Sequence, residues 1–387
     1  MSRTRKVCIV LTTRGNYAKM KTTMLAIKEH SDLELQTILA GGIIHESFGD
    51  FEAILKTDNF HIDYKIDFLV NDGKDLESMT NSAGRATSMI GNALKKLQPD
   101  IVIVIADRYE ALSISLASTC MNIPIAHLEG GEVSGSIDER IRHAITKLAL
   151  VHFPANPDSA LRIKKMGEDK RAIFDVGTPS IDLIRNIDIT DLSYLNSSTI
   201  NGLSGVNIDY KNDYLVVSQH PVVTEQESSE FQIYQTAKAV AQIGLPVFWI
   251  RPNMDAGRDG VEKALLKLGD IFENTDVCYA SSLTLEAYAV LLKNSKCLIG
   301  NSSSGIRECE YMGVPVVNIG SRQQGRMRGE NVIDTKYISD DIEQAIRIQI
   351  KHGPYKPGYI YGDGLSGKKI ANVLASYEFE LDKLITY

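Results

Sequence analysis

Short apolar runs alternate with longer amphipathic stretches through the first half of the chain. The run KVCIVLTT precedes a helical pattern over about 19–30, and LELQTILAGG precedes another around 77–97. DIVIVIADR, IPIAHLEGG, LVHFPAN and AIFDVGT continue the series, with helical patterns at 109–121, from about 136, and at 157–167. Apolar strands separated by amphipathic helices are typical of parallel sheets, so the pattern predicts a doubly wound α/β fold.

A second series of strands follows a stretch rich in serine, asparagine and glycine. That stretch, residues 193–212, has no apolar period and is the candidate for a linker or excursion near a domain boundary. The later strands are DYLVVSQHP, LPVFWIRPN, VCYASSL, CLIGNSSSG and VPVVNIGSR, and a helix at 366–384 closes the series. Because 387 residues exceed the usual size of one core, we expect two such domains, with their strand ends facing a shared cleft.

Composition narrows the classes of partner. With 43% hydrophobic residues, 24% charged residues and a net charge of −7, the chain is not expected to bind nucleic acid or an anionic membrane. No segment approaches a membrane span, and the basic, then apolar, N-terminus is interpreted as a strand. The five cysteines form no CxxC pair, which favours reduced thiols in the cytoplasm over a zinc site or disulfides.

Two nucleotide-binding motifs are absent or incomplete. No GxGxxG follows the first strand, so a dinucleotide cofactor is not expected. The stretch GDGLSGKK at 362–369 follows the Walker A spacing until Lys369, which stands where a serine or threonine would hold magnesium. We therefore predict neither hydride transfer nor a P-loop, and no cofactor or metal.

The stretch GNSSSGIRE, residues 300–308, combines hydroxyl groups with a predicted helix start. Free backbone N–H groups at a helix N-terminus suit a phosphate or diphosphate. N-capping by Ser302, Ser303 or Ser304 needs no ligand, but three serines are more than a cap requires, which favours the anion site. Arg322 and Arg326 follow the next strand and could add charged hydrogen bonds, or could form only a solvated basic loop.

Three carboxylates follow strands or begin a helix in the first half. Asp107 and Glu129 each end a strand, and Asp138 begins the next helix with Arg142 at i+4. An N-cap explains Asp107 alone, and a helix ion pair explains Asp138 with Arg142. If the three acids meet in one crevice, mutual repulsion and burial raise their proton affinity, as acid–base catalysis requires. Glu132 is interpreted as a supporting residue.

Two strand ends of the second half carry further candidates. His220 ends the strand DYLVVSQHP and would face the cleft, although a lone histidine is often structural. Asn253 and Asp255 end the next strand in RPNMDAG, which by itself indicates only a turn.

Together these motifs resemble the hydrolysing UDP-N-acetylglucosamine 2-epimerases of sialic acid pathways. The resemblance covers about 6–364 and rests on TTRGNY, ADRYE, HLEGGEVSGSIDERIRHAITKLA, QHPVVT, RPNMDAG, IGNSSSGIRE, IGSRQQGR and IYGDG. It implies a GT-B architecture: a Rossmann-like domain at 1–185 with the sugar site, completed by a helix at 366–387 that crosses back, and a UDP-binding domain at 186–365. It also implies a homodimer or homotetramer, and release of N-acetylmannosamine and UDP without NAD.

Site residues follow from the same resemblance. Asp107, Glu129 and Asp138 match the family's catalytic carboxylates, and their individual roles stay open. Arg108 and Arg142 are candidates for the sugar and phosphate side. Positions that match contacts to uridine diphosphate are Arg14, His220, Asn253, Ser302, Ser303, Glu308 and Arg322.

One departure from the family leaves the sugar open. The family's first loop has an acid where this chain has Asn16, after Gly15. A sister group acts on UDP-2,4-diacetamido-2,4,6-trideoxyglucose in the legionaminic acid pathway, and the change could belong to it. A non-hydrolysing epimerase is disfavoured because GTRPE and HVEAG motifs are absent. A GT-B glycosyltransferase or a silent UDP-sugar sensor would not need all three carboxylates.

Overall fold

The chain divides into two compact units. Met1–Leu183 and Tyr361–Tyr387 form the first unit, and Ile184–Ile360 form the second. The computed structural model describes residues 3–45, 50–71, 75–105, 107–133, 137–251 and 268–386.

A six-stranded sheet lies at the centre of the first unit. Its strands are β1 (Arg5–Leu11), β2 (Leu33–Ala40), β3 (Tyr64–Ile66), β4 (Ile101–Ile105), β5 (Ile125–Leu128) and β6 (Val151–Phe153). All pairs are parallel, and the spatial order is β3-β2-β1-β4-β5-β6. This order is that of a doubly wound Rossmann sheet, so the predicted fold class is confirmed for this unit.

Helices cover both faces of this sheet. They are α1 (Arg14–Glu29), α2 (Phe51–Thr57), α3 (Leu76–Leu97), α4 (Tyr109–Cys120), α5 (Ile137–Leu148), α6 (Pro157–Lys165) and α7 (Pro179–Arg185). In β1, Val7 and Ile9 pack into one apolar cluster, whereas Cys8 and Val10 pack into the cluster on the opposite face. Alternate side chains of a strand point to opposite faces, which is why a strand covered on both sides is apolar throughout.

The second unit repeats this topology. Its strands are β7 (Ile200–Asn201), β8 (Ser204–Gly205), β9 (Leu215–Ser218), β10 (Val247–Ile250), β11 (Val277–Ala280), β12 (Ser282–Leu283), β13 (Cys297–Gly300), β14 (Val316–Ile319) and β15 (Val332–Thr335). The main sheet has the order β15-β14-β13-β9-β10-β11-β8 and is parallel except for the edge strand β8. The described helices are α8 (Ser229–Ala241), α9 (Leu285–Asn294), α10 (Ser303–Ile306), α11 (Glu308–Met312) and α12 (Ser339–His352).

Several elements differ from the sequence prediction. Helix α1 begins at Arg14 rather than near Lys19, because the Thr13 side chain caps it by accepting a hydrogen bond from Asn16 N. AIFDVGT forms only an isolated bridge between Ile173 and His152, since Lys170–Ala172 makes a 3₁₀ turn instead. The predicted linker at 193–212 contributes β7 and β8 to the second unit.

The last helix is shorter than predicted. Helix α13 (Ser366–Ser376) packs on α1, and the chain is no longer helical from Tyr377 onward. Tyr377 packs edge-on against Phe174, and the guanidinium of Arg5 lies over the ring of Phe379. These contacts with the first unit override the helical pattern that runs on to residue 384.

A buried ion cluster fixes this C-terminal segment to the first unit. Glu168 is 2% exposed, and its carboxylate contacts Lys147 Nζ at 2.5 Å, Lys383 Nζ at 2.6 Å and His152 Nε2 at 3.0 Å. Burial by itself would raise the pKa of Glu168, but these three hydrogen-bonding partners outweigh it and lower the pKa to about 2. Lys383 Nζ also donates to the carbonyl oxygen of Ala149 at 2.6 Å, just after α5.

We expect Glu168→Gln to lower the melting temperature of the first unit by roughly 6–12 °C at pH 7, which corresponds to a loss of about 3 kcal/mol. The stabilisation is complete above about pH 4.5 and is lost as the pH falls toward 2, because the folded-state pKa is depressed. Melting curves of the wild type and the variant between pH 7 and pH 3 test this. Exposed Glu378, replaced by glutamine, is the control. If the difference in melting temperature between wild type and Glu168→Gln stayed constant down to pH 3, the stabilisation would not come from the charged carboxylate of Glu168.

Some further features of the described residues are simple to state. All five cysteines are free thiols, and four of them are buried. In the part of the chain that the structure describes, no helix is long and apolar enough to cross a membrane. Over the same residues, no group of three or more histidine, cysteine or acidic side chains is placed to hold a metal ion.

Candidate active site

The main sheet of each unit has one point where the strand order reverses, and several of the predicted site residues follow the strands at that point. In the first unit the reversal lies between β1 and β4, after which come Arg14 and Asp107. In the second unit it lies between β9 and β13, after which come His220 and Ser302. Ligands of open α/β sheets bind outside the carboxyl ends of the strands at such reversals.

Arg142 joins the exits of β4 and β5. Its guanidinium is 3% exposed, pairs with the carboxylate of Asp107, and donates to the backbone oxygen of Glu132 at 2.6 Å. Glu132 is buried as well and accepts a hydrogen bond from Asn156 Nδ2 at 3.3 Å. The sequence did not suggest this ion pair of Arg142 with Asp107.

Glu129 is held by two side chains from distant parts of the sequence. Its carboxylate is buried, and Lys19 Nζ on α1 contacts Oε2 at 2.7 Å. The hydroxyl of Thr178 donates to Oε1 at 2.7 Å. The sequence prediction was that mutual repulsion and burial raise the proton affinity of the three acids. Instead, Glu129 is paired with a lysine, and Asp107 with an arginine.

The backbone of Glu129 has an unusual conformation. Its φ is +57°, in the left-handed region that side chains other than glycine seldom adopt. Gly131 follows with φ +78°, and a Cβ atom there would lie 2.4 Å from the carbonyl oxygen of Ser159. In the structure Glu129 and Gly131 have the positive φ values, and Gly130 is required by its packing on His127.

The other predicted residues of the first unit are more exposed. Arg14 is exposed in the first turn of α1, and Asn16 receives a hydrogen bond from the hydroxyl of Thr12 at 2.7 Å. Arg108 contacts the buried carboxylate of Glu110 at 3.0 Å. Burial lowers the pKa of Arg108, but the charges of Glu110, Tyr109 and Asp138 outweigh it, so the pKa is raised. Asp138 in the first turn of α5 therefore acts on the same guanidinium.

Asn301 organises the corresponding reversal in the second unit. It is fully buried and forms two hydrogen bonds with the backbone of His220, of 2.7 Å from His220 N and 2.8 Å to His220 O. Its own backbone oxygen accepts from Arg322 Nη1 at 3.0 Å and from Gln323 Nε2 at 2.8 Å. Asn301 thereby joins the ends of β9, β13 and β14, and both His220 and Arg322 are hydrogen-bonded to it.

The serine stretch follows Asn301 directly. Ser302 caps α10 by accepting from Ser304 N at 3.3 Å, which is the capping interpretation that the sequence left open. Burial raises the pKa of the Tyr288 phenol, which also hydrogen-bonds with Ser304 and Ser302 and is near Glu308. Ser303 begins α10 and Glu308 begins α11, both partly buried. Asn253 and Asp255 lie outside the described residues.

Four contributors were not identified from the sequence: Lys19, Thr178, Asn301 and Tyr288. Lys19 would have been found from the correct helix start, since Thr13 is a standard N-cap and the first turns of α1 follow the exit of β1. Asn301 lies next to the serine stretch at the exit of β13. For Thr178 and Tyr288 no local pattern exists, because their partners are brought close only by folding.

Comparison with known proteins gives a consistent result. A family model described as UDP-N-acetylglucosamine 2-epimerase matches residues 25–375. A UDP-N-acetylglucosamine 2-epimerase of Neisseria meningitidis serogroup B is 30% identical, covering 97% of this chain and 96% of the relative. A UDP-N,N'-diacetylbacillosamine 2-epimerase (hydrolyzing) of Legionella pneumophila is 31% identical, covering 96% and 95%.

Solved structures agree on the fold. The UDP-GlcNAc 2-epimerase of Methanocaldococcus jannaschii has a TM-score of 0.73 at 16% identity, covering 95% of this chain and 99% of that one. The Neisseria meningitidis UDP-GlcNAc 2-epimerase bound to UDP-GlcNAc has a TM-score of 0.72 at 16% identity, with the same coverage. These neighbours are of the GT-B type, so the expected fold class is confirmed. Because the family model matches most of this chain, residues 25–375, the chain belongs to the UDP-N-acetylglucosamine 2-epimerase family.

Proposed function

We propose that this protein is a hydrolysing UDP-N-acetylglucosamine 2-epimerase, which converts UDP-GlcNAc and water to N-acetylmannosamine and UDP at the start of sialic acid synthesis. The observation that carries the proposal is a pair of strand-exit carboxylates in the first unit, each held by a side chain of opposite charge. There Glu129 is held by Lys19 and Thr178, and Asp107 by Arg142. Fixed carboxylates of this kind suit proton transfer at a carbon atom.

The reaction has two chemical stages. A carboxylate removes the proton at C2 of the sugar, the electron pair forms a C1–C2 double bond, and the C1–O bond to UDP breaks, which leaves 2-acetamidoglucal. Water then adds its hydroxyl at C1, and a proton returns to C2 on the opposite face. We assign these proton transfers to Asp107, Glu129 and Asp138 as a group. The buried guanidinium of Arg142 positions Asp107 in this proposal rather than contacting the phosphate.

UDP is proposed to bind to residues of the second unit, with Arg14 and Arg108 of the first as further contacts. The departing diphosphate needs compensation of its charge, which Arg322 and the start of α10 supply. His220 and Arg322 are fixed relative to each other through Asn301, so they form one rigid set of donors. Ser302, Ser303, Glu308 and Asn253 complete the proposed contacts. We infer that the reaction needs no cofactor. We also infer that the protein forms a homodimer or a homotetramer.

A second substrate is favoured by one observation. Asn16 is neutral and accepts a hydrogen bond from Thr12. The first loop of the family has an acid at this position. The Legionella pneumophila relative is as similar to this chain as the Neisseria meningitidis relative. UDP-2,4-diacetamido-2,4,6-trideoxyglucose, which has an amide at C4 in place of a hydroxyl, is therefore the alternative substrate of the same hydrolytic reaction.

Incubation of the protein with each nucleotide sugar in deuterated water tests the proposal. We expect free UDP and a released manno sugar with deuterium at C2, because the proton that returns to C2 comes from solvent. The ratio of kcat/KM for the two sugars decides the substrate. Deuterium exchange with UDP still attached would instead indicate a non-hydrolysing epimerase, and unchanged nucleotide sugar would contradict epimerase activity altogether.

A further inference from the structure

The chain passes between its two units twice, and both passages are bonded to each other within the first unit. The chain leaves this unit after Leu183 and returns to it at Tyr361. Just before leaving, Thr178 N donates to the carbonyl oxygen of Tyr361 at 2.8 Å. We call residues 176–182 the outgoing segment and residues 361–367 the returning segment.

Close backbone packing strengthens this junction. Gly177 and Gly362 both have positive φ, and a Cβ atom on Gly177 would lie 2.4 Å from Gly362 Cα. Asp182 of the outgoing segment accepts hydrogen bonds from Ser366 N at 2.9 Å and from Gly367 N at 2.7 Å, at the start of α13. The two segments therefore behave as one rigid piece.

Thr178 connects this piece to the proposed chemistry. Its side chain is fully buried, and its hydroxyl donates to Glu129 Oε1 at 2.7 Å, while Lys19 contacts the other oxygen. A carboxylate that is bonded on both oxygens has its plane fixed. Proton transfer at carbon depends steeply on such orientation, because a misplacement of about 1 Å costs roughly a hundredfold in rate.

We propose that Thr178 is a positioning residue that sets the orientation of the Glu129 carboxylate, and that the backbone bond from Thr178 to Tyr361 makes this orientation depend on both chain passages. The proposal rests on the proposed function for its kinetic consequence. The contact itself does not depend on that function and can be tested separately.

Kinetics of Thr178→Val and Thr178→Ser give the first test. Valine keeps the shape and the β-branch but lacks the hydroxyl, so we expect kcat for sugar release to fall about 10- to 100-fold, with KM and UDP affinity within about threefold. Serine keeps the hydroxyl and should stay within about fivefold of wild type in kcat. Thr22→Val is the matched control, because the Thr22 hydroxyl bonds to the backbone oxygen of Pro179 on the outgoing segment. It should leave kcat nearly unchanged.

A double-mutant cycle on melting temperature gives the second test. The losses caused by Thr178→Val and by Glu129→Ala should be less than additive in the double variant, since each change removes the same hydrogen bond. Wild-type kcat in Thr178→Val, an equal loss of kcat in Thr22→Val, or additive melting losses would each overturn the proposal. If the wild type releases no sugar while the cycle is non-additive, the proposed function fails and the Thr178–Glu129 coupling stands.

Discussion

Glu129→Gln is expected to lower kcat for sugar release by about a thousandfold, with the affinity for UDP within about twofold of wild type. Glutamine has nearly the same size as glutamate and can still accept the hydrogen bond from Thr178, but it cannot accept a proton. General acid–base groups contribute roughly 10²- to 10⁴-fold to a rate. UDP affinity should persist because the proposed diphosphate donors, such as Arg322, belong to the second unit.

The neighbouring acid Glu132 supplies the control. Both carboxylates are 4% exposed and follow the same strand, but Glu132 bonds to Asn156. Glu132→Gln should keep kcat within about tenfold of wild type, whereas Asp138→Asn should behave like Glu129→Gln. Turnover is measured by UDP release and affinity by titration calorimetry. Loss of UDP binding in both Glu129→Gln and Asp138→Asn would mean that these acids are structural supports.

Arg142→Met is expected to affect stability and turnover together. Methionine fills the space but leaves Asp107 without its cation and the backbone oxygen of Glu132 without its donor. Removal of one partner of a buried ion pair typically costs about 3–5 kcal/mol. Asp107 is 23% exposed, so we expect the lower end of this range, together with a fall in kcat of at least about a hundredfold.

Two further variants identify the cause of this effect. Arg142→Lys keeps the charge, but a single ammonium group is a poor match for two acceptors that a planar guanidinium holds. Compared with Arg142→Met, we therefore expect Arg142→Lys to recover only part of the melting temperature and of kcat. Asp107→Asn in the Arg142→Met background removes the unpaired charge and should recover part of the melting temperature. Strictly additive losses in this cycle would argue against direct coupling of Arg142 with Asp107.

The sequence predicted the fold well because its dominant signal is local. Continuous apolar strands and amphipathic helices follow from burial on both sheet faces, and β1 shows this in the alternation of Val7 and Cys8 between two clusters. Strand ends could be located in the same way, which brought Asp107, Glu129 and His220 to the correct edges of the sheets. The end of α13 could not be located, because aromatic contacts of Tyr377 and Phe379 decide it.

Partners within the site were predicted less well, for a physical reason. Sequence spacing favours the i,i+4 pair of Asp138 and Arg142, worth a few tenths of a kcal/mol on a helix surface. A buried guanidinium needs more compensation than that, and Asp107 on a neighbouring strand exit provides it. The roles of Thr178 and Lys19 likewise depend on contacts across more than 45 residues, which no local pattern encodes.

The left-handed backbone at Glu129 has a consequence for attempts to make this protein more heat-resistant. Glycine would relieve a conformational cost on the order of 1 kcal/mol at this position, and asparagine tolerates the same dihedral angles. The hydrogen bond from Thr178 and the ion pair with Lys19 oppose this gain, because glycine or asparagine at position 129 would lose the contacts that hold the buried carboxylate. A gain in heat resistance at this turn is therefore expected only when Lys19 and Thr178 are replaced as well, and such a variant would lack the proposed proton-transfer group.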